Sequence, residues 1–280
     1  MHATTLEFTL LVALGSLLAG LLGSLTGLGG GVVIVPFLTL LFHVDIRYAI
    51  GASLISVIAT SSGAAAAYLR EGYSNMRVGM LLEVATTIGA LSGAYLVTRI
   101  PTGAIAAIFG LVLLYSAWTS IRPQGDLSGT QHPDALAGRL KLDGSYPTPG
   151  GRLDYYVRNV PAGFGLMYVA GVLSGLLGIG SGAVKVLAMD RVMHIPFKVS
   201  TTTSNFMIGV TAAASAGIYL HHGYVDPGLS MPVMLGVAAG ALLGARILPG
   251  AKVRTLRIVF GVAIAAIAVE MISKGVGGKI

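Results

Sequence analysis

Gly23-Ser24-Leu25-Thr26-Gly27-Leu28-Gly29-Gly30-Gly31 interrupts a long apolar run near the amino terminus, and its reading decides the fold. Each glycine inside a helix costs up to about 1 kcal/mol relative to alanine, so a straight helix through this string is unfavourable. Pro36, five residues on, further favours a break. The pattern returns as Gly178-Ile179-Gly180-Ser181-Gly182, an offset of 151 residues counted from Gly27 to Gly178. The register then holds without a gap, pairing His43 with His194, Ser53 with Ser204, Thr60 with Thr211, Tyr68 with Tyr219, Gly89 with Gly240 and Phe109 with Phe260. One register kept over that distance marks an internal duplication.

Working outward, each half reads as one glycine-broken apolar segment followed by three helices. The spans are 6–42, 48–69, 78–97 and 103–121, then 162–192, 199–220, 228–248 and 256–272. Between them, 122–159 is polar and carries Pro123, Pro133, Pro147 and Pro149, the marks of a loop outside a bilayer. The expected organisation is a first transmembrane repeat over 1–121, a polar inter-repeat loop over 122–159 and a second transmembrane repeat over 160–280. The fold class is an all-α polytopic membrane protein built from two homologous repeats, with about 8 to 10 helical segments including the broken ones.

Composition agrees. The 280 residues are 54% hydrophobic and 10% charged, with a mean hydropathy of +0.82, so the charged coat of a soluble domain is missing. The run 6–22 lacks a basic leader and carries Glu7 ahead of its apolar stretch, so it reads as retained rather than as a cleaved signal. Cysteine is absent, which removes disulfides, thiolate metal sites and cysteine nucleophiles. The net charge of +7 sits in short connections rather than on one face, which speaks for membrane orientation and against nucleic acid.

Orientation depends on the broken segments. If each crosses fully, each half has four crossings, the repeats are parallel, and Lys and Arg divide nine to eight between the two sides. If each turns back, the repeats are inverted. Thirteen basic residues, from Arg70 and Arg77 through the central loop to Arg257, then share one side against Arg47, Arg99, Lys274 and Lys279. That bias favours inverted repeats in a plasma membrane, with both termini outside and the central loop cytoplasmic. Self-association into a homo-oligomer stays open.

At membrane depth, backbone groups freed by a break must face protein or a water-filled cavity, and paired breaks in two repeats point to a midplane site. A helix restarting after a break offers bare N–H groups and the positive end of its dipole, which suits a small anion. The candidate substrate-binding residues are Gly27, Gly29, Gly30, Gly31, Gly178, Gly180, Ser181 and Gly182, with Ser53, Ser204 and Asn205 from the second helices and Lys185 just past the second break. A buried cation there requires negative charge nearby. A transported anion supplies it on one reading; a fixed partner such as Asp190 or Glu83, or snorkelling to an interface, supplies it on the other.

Glu83 is unmatched, since Met234 stands at its place in the second half, and it is the proton-coupling candidate; pairing with Arg77 near the interface is the plainer alternative. The hydroxyls of 201–204 and of Ser53, Ser56, Thr60, Ser61 and Ser62 either bond helix carbonyls or line a polar path. Gly89, Ser92, Gly93, Gly103, Gly110, Gly236, Gly240 and Gly244 read as close helix packing. His43 and His194 have no further ligand at metal spacing. No strand precedes the glycine strings, so nucleotide-loop chemistry is not indicated, and no catalytic dyad or cofactor motif stands out.

The chain resembles the sulfite exporter TauE/SafE family, also called the toluene sulfonate uptake permease family. The likeness rests on Gly20-Leu21-Leu22-Gly23 with Gly27-Leu28-Gly29-Gly30-Gly31 and Pro36, on 171–182, on 200–205 and on 240–246. The resemblance implies transport of sulfite, sulfonates, sulfolactate, sulfoacetate or related organosulfur anions across a bacterial or archaeal plasma membrane, often as export. An anion channel and a carrier of non-sulfur carboxylates are the alternatives. The chain departs from the common pattern at Ser181, at Lys185 and at Leu187, which occupies the place matching Pro36.

Overall fold

The computed structural model describes residues 5–26, 30–71, 74–121, 134–148, 151–247 and 253–278. The candidate positions Gly27 and Gly29 lie outside the described residues, as do Arg122, Lys252, Lys279, Pro123, Pro133 and Pro149.

The first half contains α1 (Thr5–Thr26), α2 (Gly31–Pro36), α3 (Ile46–Glu71), α4 (Met76–Leu96) and α5 (Thr102–Ile121). The second contains α7 (Val160–Leu177), α8 (Gly182–Leu187), α9 (Phe197–His221), α10 (Pro227–Ile247) and α11 (Val253–Val276). The bounds of α2 and α8 correspond at the 151-residue offset, and so do those of α4 and α10. Among the described residues, three helices are long and apolar enough to cross a membrane, over Leu6–Gly23, Met76–Leu96 and Val160–Leu177. Leu6, Leu10, Leu14 and Leu18 form a four-residue stripe on α1 that is more than half exposed, an apolar face suited to lipid.

Both short helices widen into a π-helical turn, Phe37–Leu41 after α2 and Ala188–Val192 after α8. Proline is not the cause, because Leu187 occupies the place of Pro36 and the same turn forms. Each turn ends at a histidine in the left-handed region, His43 and His194, both at φ 55°. The amide three residues past the turn closes it: Val44 N–H donates to the Leu38 carbonyl (3.1 Å) and Ile195 N–H to the Met189 carbonyl (2.9 Å). The matched histidines therefore serve as helix stops.

The broken segments fold back on themselves. Phe8 meets Phe42 edge-on at 5.4 Å, and a Cβ on Gly15 would collide with the Phe37 ring. In the second half, Arg158 N–H donates to the Met193 carbonyl (3.1 Å) and Asn159 Nδ2 to the Val192 carbonyl (3.2 Å).

Packing exchanges elements between the halves. α4 runs parallel to α7, with Gly171 against the Thr86 carbonyl and Gly175 against the Ala90 carbonyl. α10 runs parallel to α1, with Gly236 against the Ala13 carbonyl and Gly240 against the Leu17 carbonyl. α5 and α11 are antiparallel, pairing Gly103 with Gly275 and Gly110 with Ala268; α3 and α9 are also antiparallel, with Gly51 at Tyr224 and Ser61 at Gly209. A Cβ at these glycines would penetrate a neighbouring backbone or, at Gly209, the Ser61 side chain, so close approach is what the small residues provide.

The central loop carries more structure than its proline content suggests. It contains α6 (Ala135–Arg139) and a hairpin of β1 (Gly144–Thr148) with β2 (Gly151–Tyr155), paired Gly144 to Tyr155 and Tyr146 to Leu153. Tyr146, Tyr155, Leu142 and Val157 pack with Val78, Val160 and Met193. Asn75 ties this unit to the helices: its Oδ1 caps α4 at Val78 N–H (3.1 Å), and its Nδ2 donates to the Leu142 carbonyl and to Tyr155 Oη, both at 2.8 Å. Burial pushes the Tyr155 phenol up to about 12, against the Asn75 hydrogen bond and with help from the Asp143 charge.

Candidate functional site

α7 stops because Gly178 adopts a left-handed conformation (φ 66°) and its N–H donates to the Ser174 carbonyl (2.8 Å). A side chain is excluded there as well, since a Cβ would lie 3.0 Å from the Ile50 carbonyl oxygen. Gly180 (φ 69°) and Ser181 (φ 47°) continue in the same region before α8 restarts. Tyr219 on α9 holds the stopped end, its Oη 3.0 Å from the Gly175 carbonyl and 3.3 Å from that of Leu176.

Ser53 brings the two breaks together. From α3, its Oγ donates to the Gly178 carbonyl at 2.8 Å and lies 3.4 Å from the Gly31 carbonyl, so one hydroxyl touches both interruptions. Its match, Ser204 on α9, points at the Gly182 carbonyl from 3.5 Å. Gly31 has no room for a Cβ, which would come within 2.8 Å of Ser53 Oγ and 3.3 Å of the Gly178 carbonyl oxygen. Gly30 packs on Val237 and Gly20, while Gly180 and Gly182 pack on Ile208. Asn205 follows Ser204 and is half-buried.

The start of α8 offers donors. Its first-turn amides have no acceptor one turn earlier in the helix, and the ladder begins with Lys185 N–H donating to the Ser181 carbonyl (3.0 Å). Ser181 does not cap this end; its Oγ is buried and has no hydrogen-bond partner.

Lys185 is fully buried and Glu83 is 9% exposed, and they meet through a residue that sequence reading did not select. Lys185 Nζ donates to Thr211 Oγ1 at 2.6 Å, and Thr211 Oγ1 lies 2.8 Å from Glu83 Oε1. Thr87 Oγ1 donates to the same oxygen from 3.2 Å. Glu83 Oε2 is buried without a hydrogen-bond partner. Arg77 is not the partner of Glu83: it is exposed and donates to the Lys141 carbonyl (3.3 Å). Asp190, the other partner considered for Lys185, lies 3.5 Å from Arg191 Nε. The usable clue to Thr211 was its register match with Thr60, and the clue to Tyr219 was its match with Tyr68.

The description "Sulfite exporter TauE/SafE" belongs to a family profile that matches residues 12–271. The chain is 28% identical to "Probable membrane transporter protein YunE" of Bacillus subtilis (strain 168), over 97% of this chain and 99% of that protein. It is 29% identical to "Probable membrane transporter protein YdhB" of the same strain, over 85% and 89% of the two chains. It is 26% identical to "Probable membrane transporter protein MJ0441" of Methanocaldococcus jannaschii, over 90% and 93%. No solved structure matches.

Proposed function

The chain belongs to the sulfite exporter TauE/SafE family, and from that premise we propose that it is a secondary transporter, working as an exporter, of small anions such as sulfite, sulfonates or other organosulfur anions. The observation that carries the reading is the meeting of two helix breaks at Ser53, 2.8 Å from the Gly178 carbonyl and 3.4 Å from that of Gly31. Beside it stand the first turn of α8, whose amides have no acceptor one turn earlier in the helix, and the buried Ser181 hydroxyl, which has no hydrogen-bond partner; both suit a small anion. Glu83 is the proton-coupling group on this reading.

The repeats are inverted in this proposal. Elements at the 151-residue offset, α3 with α9 and α5 with α11, pack antiparallel, which supports a pseudo-two-fold axis in the membrane plane. The folded-back segments support an odd number of passes per half, and the basic residues of the central loop support a cytoplasmic position for it. Both termini are then outside the plasma membrane.

Proteoliposomes preloaded with sulfite test the function. A carrier gives saturable uptake of labelled sulfite that is stimulated by counterflow, whereas flux that neither saturates nor responds to counterflow replaces the carrier with a channel. Lys185→Ala weakens anion binding more than Arg246→Ala does; wild-type affinity in Lys185→Ala removes Lys185 from the site.

A further inference from the structure

Lys185, Thr211 and Glu83 occupy three different helices, α8, α9 and α4, and their side chains join in one hydrogen-bonded chain. Thr211 has one hydroxyl proton and two acceptors at the same 2.8 Å distance, Glu83 Oε1 and the Met207 carbonyl. It can therefore turn from one to the other while still accepting from Lys185. The second carboxylate oxygen, Oε2, is enclosed and unpartnered. The two charged members are not duplicated, because the register places Ile34 opposite Lys185 and Met234 opposite Glu83, while Thr211 matches Thr60.

We propose that these three side chains form a coupling relay: a transported anion takes Lys185 from Glu83, and Glu83 then binds one proton, so that anion and proton load together. This deepens the anion-carrier reading and rests on it. In the unloaded protein, Glu83 is the counter-charge of Lys185. Lys185 lies one turn beyond Ser181, and an anion at that break competes for the ammonium. When it wins, the Lys185–Glu83 pairing is lost, a proton released by the buffer acid in solution forms an O–H bond on Glu83 and leaves the conjugate base in solution, and the Thr211 proton turns to the Met207 carbonyl. A monoanion then travels with one proton and no net charge.

The surrounding groups leave this role to Lys185. On α4, Arg77 is exposed at the Lys141 carbonyl and Tyr95 bonds Arg99 near the far end. On α7, Tyr168 is exposed beside Ser92. On α9, Lys198 and His221 are exposed at opposite ends, and Tyr219 is held at Gly175. In the π turn after α8, Asp190 lies beside Arg191. Among the described residues, Lys185 is the cation joined to Glu83 by hydrogen bonds.

Titration of the detergent-solubilised full chain with ethanesulfonate, repeated in buffers of different ionisation enthalpy, counts the protons bound with the anion. A sulfonate stays ionised near neutral pH, so any proton taken up belongs to the protein. The wild type should take up about one proton per bound anion. Glu83→Gln should take up none and bind on the order of tenfold tighter above neutral pH, because the competing carboxylate is gone. Thr211→Val should lose proton uptake and Thr211→Ser should keep it, which separates the relay from a packing role. Wild-type binding without proton uptake overturns the relay and leaves the anion carrier standing. An absence of both ethanesulfonate binding and sulfite counterflow removes the carrier reading and the relay with it.

Discussion

Replacing Lys185 by Met keeps most of the length of the side chain and removes its charge, which targets the electrostatic contribution of a residue with 0% exposure. The ammonium and the carboxylate are separated by two hydrogen bonds of 2.6 and 2.8 Å through Thr211. For unit charges about 5 Å apart in a medium of effective dielectric about 20, the attraction is roughly 3 kcal/mol. Losing it also strands a buried carboxylate, and breaking such pairs on one side costs about 3–5 kcal/mol. Soluble domains of this size lose about 2–4 °C of Tm per kcal/mol, so Lys185→Met should melt roughly 10 °C below wild type. Glu83→Gln strands the ammonium instead and should fall comparably. The double variant Lys185→Met/Glu83→Gln leaves no charge without a partner, so it should lose far less than the two single losses together. Thermal unfolding in one detergent at one pH provides all four values of the cycle. Additive losses would show that the two charges do not sense each other, and the pairing through Thr211 would be discarded.

Two glycines should respond in opposite directions to the same substitution. Gly175→Ala drives a methyl group into the Ala90 carbonyl and should cost about 1–3 kcal/mol, whereas Gly217→Ala meets nothing within 4 Å and should gain about 0.5–1 kcal/mol; detergent melting checks both. Docking of the central hairpin should depend on pH in the alkaline range. Because folding raises the Tyr155 phenol from 10.0 to about 12, its contribution is intact below pH 10.0 and lost as pH rises through about 12, which tyrosinate absorbance with limited proteolysis of the loop would follow. The chain has no cysteine, so Gly138→Cys and Gly277→Cys can each report one face. A membrane-impermeant maleimide should label Gly277→Cys on intact cells and Gly138→Cys only after permeabilisation; the opposite pattern reverses the orientation.

What the sequence disclosed was set by distance along the chain. Helix spans follow from local apolar runs, and the expected 78–97 and 228–248 lie close to Met76–Leu96 and Pro227–Ile247. The break near Gly178 was legible because glycine determines it locally. The π turns were not legible, since Pro36 suggested a cause that Leu187 rules out and their form is closed by Val44 and Ile195. The hairpin was hidden because Pro147 and its neighbouring glycines argue for loop, and what orders it is Tyr155 bonded to Asn75, 80 residues away. Thr211 escaped for the same reason: its contact with Glu83 spans 128 residues. Lys185 and Glu83 were each conspicuous alone, but no local pattern says that a threonine joins them.

In the proposed carrier, two matched inverted halves would give inward-open and outward-open forms of similar energy, because exchanging the halves would interconvert them. On the proposed inverted arrangement, Ser53 and Ser204 are partners in that exchange, one now bonded at 2.8 Å across the halves and the other held at 3.5 Å within its own. Lys185 and Glu83 cannot exchange, since Ile34 and Met234 replace them. On that proposal the pair is a difference in charge between the two forms. A ligand biases two states only by binding them unequally, so direction and coupling have to originate where the symmetry fails, and among the residues of this site it fails in charge at Lys185 and Glu83.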